Sequence, residues 1–279
     1  MAGVPGFERD REFQKLVARR KDVDVTIAAL ELARDAEPGL DFRPTLEWLD
    51  ACGRELAGPV ARARTERDAL GELARGLADE HGLAGDEDAY ACPEGSFLHR
   101  VIETGRGIPI SLSVLYMAVA QRVGIDLKGV STPMHFLARS ETVDGPVFVD
   151  AYGRGRLLEP NECIEWISRV AGVPRSSVRA TLKPATPRII VIRMLNNLKA
   201  VYARQEDWGS AWTVQRRLSA LEPASYQERR DLALISLHAH RPGQAIDLLE
   251  SCLKSCPDDE RPVLTGHLNE ARRLVARWN

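Results

Sequence analysis

Along the first hundred positions, apolar residues recur at the three- and four-residue spacing of helices that bury one face. Val25, Ile27, Leu30 and Leu32, with alanines between them, predict a helix ended by Pro38-Gly39. A second helix is predicted from Pro44 to about Leu56, with the proline in its first turn and Gly58-Pro59 closing it. Leu70, Leu73 and Leu77 share one face of a third. Residues 82–88 are polar and glycine-bearing and read as a loop; Phe97, Val101 and Ile102 predict a short helix before Gly105-Arg106-Gly107. The pattern then changes. Residues 109–123 (PISLSVLYMAVAQRV) are almost without a polar stripe, as in a helix buried on most sides. Short apolar runs at 127–130, 135–139 and 147–149 predict strands, with Asp144-Gly145-Pro146 as the turn between the last two. Another helix starts at Asn161, carrying Ile164, Trp166 and Ile167, with Glu162 and Glu165 in its first turns. The pattern is α+β and mainly helical: a central buried helix followed by a small antiparallel sheet.

The last ninety residues repeat. Ala211 and Ala245 lie 34 residues apart, as do Pro223 and Pro257, and Ser236 stands where the first copy has Tyr202. A 34-residue period with a small residue in the second helix and a proline at its end is the signature of TPR α-hairpins, with residues 262–278 as a polar-faced capping helix. The chain thus divides into an N-terminal helical part (1–90), a core (91–185) and helical repeats (186–279).

The 279 residues suffice for one large or two ordinary domains, and a formal net charge of -2 offers no field for nucleic acid or anionic lipid. Charges near the start, in MAGVPGFERDREFQKL, interrupt any signal-peptide core, and no apolar run approaches the roughly 20 residues of a membrane span. A cytoplasmic location is expected. Five scattered cysteines (Cys52, Cys92, Cys163, Cys252, Cys256) do not form a disulfide framework. Cys252 and Cys256 fall four apart on a predicted helix with no third ligand nearby, so packing rather than metal binding is expected. No metal and no cofactor is expected elsewhere.

Candidate chemistry is confined to residues 107–150. His135 opens one predicted strand and Asp150 ends the next, so antiparallel pairing allows the carboxylate to fix the imidazole tautomer. A purely architectural role for the pair predicts the same contact. His81, His99, His238, His240 and His267 show no ligand spacing and are expected on the solvated surface. Arg106, Arg139, Arg154 and Arg156 crowd the same loops and could line an anionic cleft or simply be solvated.

Three motifs carry a resemblance: GRGIPISLSVLYMAVAQRVGI (105–125), PMHFLAR (133–139) and VFVDAYGRG (147–155). Together they resemble the transglutaminase-like superfamily, in its SirB-type branch with C-terminal TPRs. The resemblance implies a papain/transglutaminase-like central domain, with a cysteine nucleophile at the start of the central helix and a His and Asp that match His135 and Asp150. A small residue four positions after the nucleophile, and Gly-Ile about fifteen after it, match Ser113 and Gly124-Ile125. That register puts Pro109 at the cysteine's position, and proline cannot attack a carbonyl. Ser111 is the possible substitute, two positions on; its plainer role is to cap free amides of the first turn. Cys92 lies upstream in a loop and would need a fold-back to reach the site.

The resulting reading is a non-catalytic transglutaminase-like/TPR protein, a pseudoenzyme acting as a regulatory or interaction module. The repeats take a protein or peptide partner, with no nucleic acid and no membrane. The alternative is an amide hydrolase or acyltransferase using a Ser111-His135-Asp150 triad.

Overall fold

The computed structural model describes residues 6–277, so the first five residues of the amino-terminal stretch and Trp278 of the expected capping helix lie outside the described residues. One compact unit is formed by Glu8–Met194; the other contains Leu195 onward together with Phe7.

The first unit begins with helices α1 (Arg11–Val17), α2 (Val25–Ala33), α3 (Arg43–Arg62) and α4 (Glu66–Arg75). Side-chain caps fix two of their starts: the Asp24 carboxylate accepts from Ile27 N at 3.0 Å and the Thr65 hydroxyl from Asp68 N at 3.0 Å. The second helix does not end at Gly58-Pro59 as its sequence suggests, but runs on to Arg62. Proline so near the end withdraws only one ladder bond, and the carbonyl it leaves open belongs to exposed Glu55. Within the loop predicted for 82–88, a two-residue strand β1 (Ala84–Gly85) pairs in parallel with β2 (Arg106–Gly107), which follows α5 (Leu98–Thr104).

Helix α6 (Pro109–Arg122) is the centre of this unit: eleven of its fourteen residues are buried, as its all-round apolar sequence demands. It is followed by an antiparallel meander of β3 (Lys128–Thr132), β4 (His135–Thr142), β5 (Gly145–Asp150) and β6 (Arg156–Leu158). The hairpin is tighter than expected. Thr142 pairs with Gly145, leaving Val143-Asp144 as the two-residue turn and drawing Gly145 and Pro146 into the strand. β6 was not foreseen, being too short at three residues for any periodicity. Helix α7 (Pro160–Ala171) starts with a proline at its first position and a reciprocal capping box between Glu159 and Glu162. It covers one sheet face through Cys163, Ile164 and Ile167, packed with Val130, Leu137 and Phe148. α8 (Arg175–Thr181) adds only Val178 as a buried residue, which is why no apolar stripe announced it.

The unit boundary falls within α9 (Pro187–Arg204). Beyond it, α10 (Trp208–Leu221), α11 (Tyr226–His238), α12 (Pro242–Leu253) and α13 (Arg261–Ala276) pack successively. Ala211 and Ala245 are completely buried, the latter among Ala233, Leu249 and Ala271. Ser236 is buried with its hydroxyl satisfied, donating to Leu232 O at 2.6 Å. Cys256 lies just past the end of α12 rather than on it, but both it and Cys252 are buried in the same cluster.

Candidate functional site

His135 is the first residue of β4 and Asp150 the last of β5, so antiparallel pairing sets them at the same end of the sheet. Alternation puts both on the face shared by Leu137 and Phe148. His135 Nε2 lies 2.9 Å from Asp150 Oδ1, with side chains only 8% and 3% exposed. A neutral imidazole donating from Nε2 leaves Nδ1 as an acceptor, and Nδ1 makes no hydrogen bond among the described residues. The carboxylate is held on every side: Oδ1 also accepts from Gly153 N at 3.1 Å, and Arg156 approaches Oδ2 at 3.5 Å. Residue 153 must be glycine for this approach, because a Cβ there would collide with Oδ2.

Aromatic rings wall the imidazole. Trp166 of α7 meets it edge-on at 4.9 Å between centroids, and Tyr152 at 5.8 Å. Arg156 stacks on the far partner, 4.4 Å from the Trp166 ring centre. Tyr90 extends the wall, 6.2 Å from Tyr152. The segment bearing Cys92 therefore does return to the edge of the site, two residues from Tyr90. The Cys92 thiol itself is directed to Asp88 O at 3.9 Å, a weak contact within its own loop. Next to His135, Met134 takes a left-handed φ of 57° and is 75% exposed.

Pro109 occupies the first position of α6, and Ile108 is the cap, with no side-chain hydrogen bond. Ser111 is completely buried, and its hydroxyl donates toward two carbonyls, Gly95 O at 2.6 Å and Ile108 O at 3.0 Å. It thus ties the preceding segment to the helix start instead of capping free amides, since its single proton faces acceptors. No hydrogen bond joins Ser111 to His135 among the described residues. Ser113, the small residue of the motif, is buried with an unpartnered hydroxyl.

Neither buried thiol of this unit is activated. Cys163 is within electrostatic range of Asp150 but belongs to the α7 core, where burial first and the Asp150 charge second push its pKa up to about 12. Cys52 touches His81 Nε2 at 3.4 Å, yet burial, followed by the Glu55 charge, pushes it likewise up to about 12. Two histidines expected on the solvated surface are not there. His99 is buried against Glu37 at 3.1 Å, and His81 is partly buried between Cys52 and Glu55. Both partners are distant in sequence, which periodicity cannot register. Of the loop arginines, Arg139 is tied to Leu182 O and Glu141, Arg154 to Asp79, and Arg156 to Asp150; Arg106 is exposed. They are not gathered into one cleft by shared partners.

A family profile described as "Transglutaminase-like superfamily" matches residues 44–196, more than half the chain, including Pro109, Ser111, His135 and Asp150. The chain belongs to the transglutaminase-like superfamily. A tetratricopeptide-repeat profile matches residues 198–264. A UPF0162 protein of Xylella fastidiosa is 34% identical over 245 residues, covering 86% of this chain and 87% of that protein. Protein SirB1 of Salmonella typhimurium is 21% identical over 85% of this chain and 87% of its own length. These relatives and the order of the two profiles place this transglutaminase-like chain in the SirB-type branch. Human F-box only protein 21 is 27% identical over 57% of the chain, but only 26% of that longer protein is covered. No solved structure matches. Within the transglutaminase-like unit, the features that sequence reasoning missed are Trp166 and Tyr152 around the histidine, and the placing of Arg156 on Asp150 and Trp166 rather than in an anionic cleft. The one available signal was the DAYGRGR run after Asp150, which places Tyr152, Gly153 and Arg156 within six residues of the carboxylate.

Proposed function

We propose that this chain is a non-catalytic transglutaminase-like/TPR protein, a regulatory module whose repeats engage a protein or peptide partner. One observation carries the reading: Pro109 stands at the helix start where the family register calls for a cysteine, and the nearest hydroxyl, Ser111, is turned toward the carbonyls of Gly95 and Ile108. Without a nucleophile, the His135–Asp150 pair has nothing to deprotonate and no acyl-enzyme can form. The repeats supply the interaction surface, since stacked TPR hairpins bind helices or extended peptides. A net charge of -2 favours a protein partner over nucleic acid or a membrane surface. A cytoplasmic location belongs to the same reading, supported by five cysteines that are all unpaired.

The hydrolase reading, with Ser111, His135 and Asp150 as a triad, is favoured by the 2.9 Å histidine–carboxylate contact alone. A fluorophosphonate probe separates the two. We expect no labelling of Ser111 in the folded protein; covalent modification there would overturn the non-catalytic reading. For the interaction itself, pull-down with the full chain should return a partner that is lost when the repeat surface is altered and kept when His135 is altered.

A further inference from the structure

The C-terminal unit carries two groups of charged side chains that differ in one respect. In the first, Lys199 pairs with Asp231 at 3.1 Å, and Arg230 bridges Asp231 at 3.1 Å and Glu260 at 2.8 Å. Those cations and carboxylates neutralise each other. The second group lies along α10, where Trp208, Trp212 and Arg216 recur every four residues and so share a face. The corner between α11 and α12 adds His238, stacked on Trp208 at 4.4 Å, and Arg241, whose guanidinium lies 3.7 Å from the centre of the Trp212 ring. The Arg216 guanidinium lies 4.9 Å from the same ring. Trp212 Nε1 donates to Gln244 Oε1 at 3.0 Å, which fixes the indole on which both arginines rest.

Among the described residues no carboxylate forms an ion pair with Arg216 or Arg241, and neither guanidinium makes a hydrogen bond, although both side chains are half-buried. The acid at the head of α10, Asp207, has an oxygen occupied in capping Ser210 N at 3.1 Å. Two guanidiniums stacked on one indole have little rotamer freedom left to lose, and their planar donor forks match carboxylates. Tryptophan and arginine side by side are also the composition of binding hot spots.

We infer that this face of α10 and the α11–α12 corner dock an acidic segment of a protein partner. Arg216 and Arg241 take its carboxylates, and the Trp208–His238 stack receives the apolar parts of the segment. The inference rests on the reading that the repeats bind protein, and it names the chemistry of what they bind.

The probe is a fluorescein-labelled octaglutamate peptide, titrated against the full chain at low salt and followed by anisotropy. Octaglutamate should bind and octalysine should not. Arg216→Gln and Arg241→Gln should each weaken binding by about tenfold or more, while Arg273→Gln, at an exposed site on α13, should change it by less than about twofold. In wild-type protein, nuclear magnetic resonance should show the Trp212 indole N–H signal shifting as peptide is added, a readout that needs no variant to fold. Absence of octaglutamate binding would overturn the inference, as would equal loss in Arg273→Gln or an indole signal that stays put at saturation. Such a failure would leave the non-catalytic interaction module in place with its surface elsewhere. Labelling of Ser111 by fluorophosphonate would fell that reading without touching this site.

Discussion

Two histidine–carboxylate contacts in the first unit share the same 2.9 Å separation and differ in everything else. His135–Asp150 is sealed, with side chains 8% and 3% exposed, and each carboxylate oxygen has a further partner. His81–Glu55 is open on its acidic side, with Glu55 56% exposed and no second hydrogen bond to the carboxylate among the described residues. Distance alone would rank them equal. The dielectric around each decides otherwise, because a contact in water competes with solvent and a buried one does not. The comparison also shows how the parts of a thiol–histidine–acid site are divided. His135 has a clamped carboxylate and, among the described residues, no thiol in hydrogen-bond contact; His81 has a thiol, Cys52, but in a setting that keeps it protonated.

The largest expected effect comes from removing the buried acid. Asp150→Ala leaves His135 Nε2, Gly153 N and Arg156 without their acceptor, and should cost about 3–5 kcal/mol in chemical denaturation. A loss under about 1 kcal/mol would put the pair in the same class as an exposed contact and dissolve the contrast.

Next is the thiol. With its pKa pushed from 9.0 up to about 12, Cys52 has about a thousandfold less thiolate at pH 8 than an ordinary cysteine. Peptide mapping after iodoacetamide treatment should find Cys52 unmodified in native protein and modified once the chain is unfolded. Comparable labelling in both states would show that the His81 contact activates the thiol after all.

Helix α6 and the ends of β4 and β5 were legible in the sequence because their signals are local. An all-round apolar run fixes a buried helix, and a histidine and aspartate at adjoining strand ends meet by pairing alone. What escaped notice depends on distant neighbours. Ser111 is turned aside by Gly95, sixteen residues upstream; Cys52 meets His81 twenty-nine residues on; Trp166 reaches the imidazole from another helix. β6 and α8 failed for the opposite reason, the first being too short and the second too polar to carry any period. Pro59 misled because it stands in the last turn, three residues before the end at Arg62, and the Glu55 carbonyl it leaves open can be met by solvent.

If the family register is right, Pro109→Cys brings a thiol to the histidine that lacks one. At the first position of α6 the helix N-terminus favours thiolate, whereas burial of the kind that raises Cys52 and Cys163 opposes it. If the family register is right, the dipole and the nearby imidazole prevail. The new thiol should then titrate at least about one unit below the ordinary 8.5, with alkylation near pH 7 about tenfold faster than at an unperturbed cysteine. An ordinary or raised value in the titration of alkylation rate against pH would mean that Pro109 does not face His135.

The smallest effect belongs to the exposed contact, and its smallness is the point. Glu55→Ala removes a carboxylate that is 56% exposed and shares His81 Nε2 with the Cys52 thiol. Water replaces the lost acceptor at the open side, and His81 keeps its ring edge against Trp48 at 5.3 Å between centroids. The expected cost is under about 1 kcal/mol, a shift in melting temperature of a few degrees at most. The same substitution withdraws the negative charge that helps to hold the Cys52 pKa up, so alkylation of Cys52 should quicken slightly while still limited by burial, the larger cause. A cost approaching that of Asp150→Ala would mean that His81–Glu55 is clamped as firmly as the buried pair, and that exposure is a poor guide to the strength of histidine–carboxylate contacts in this fold.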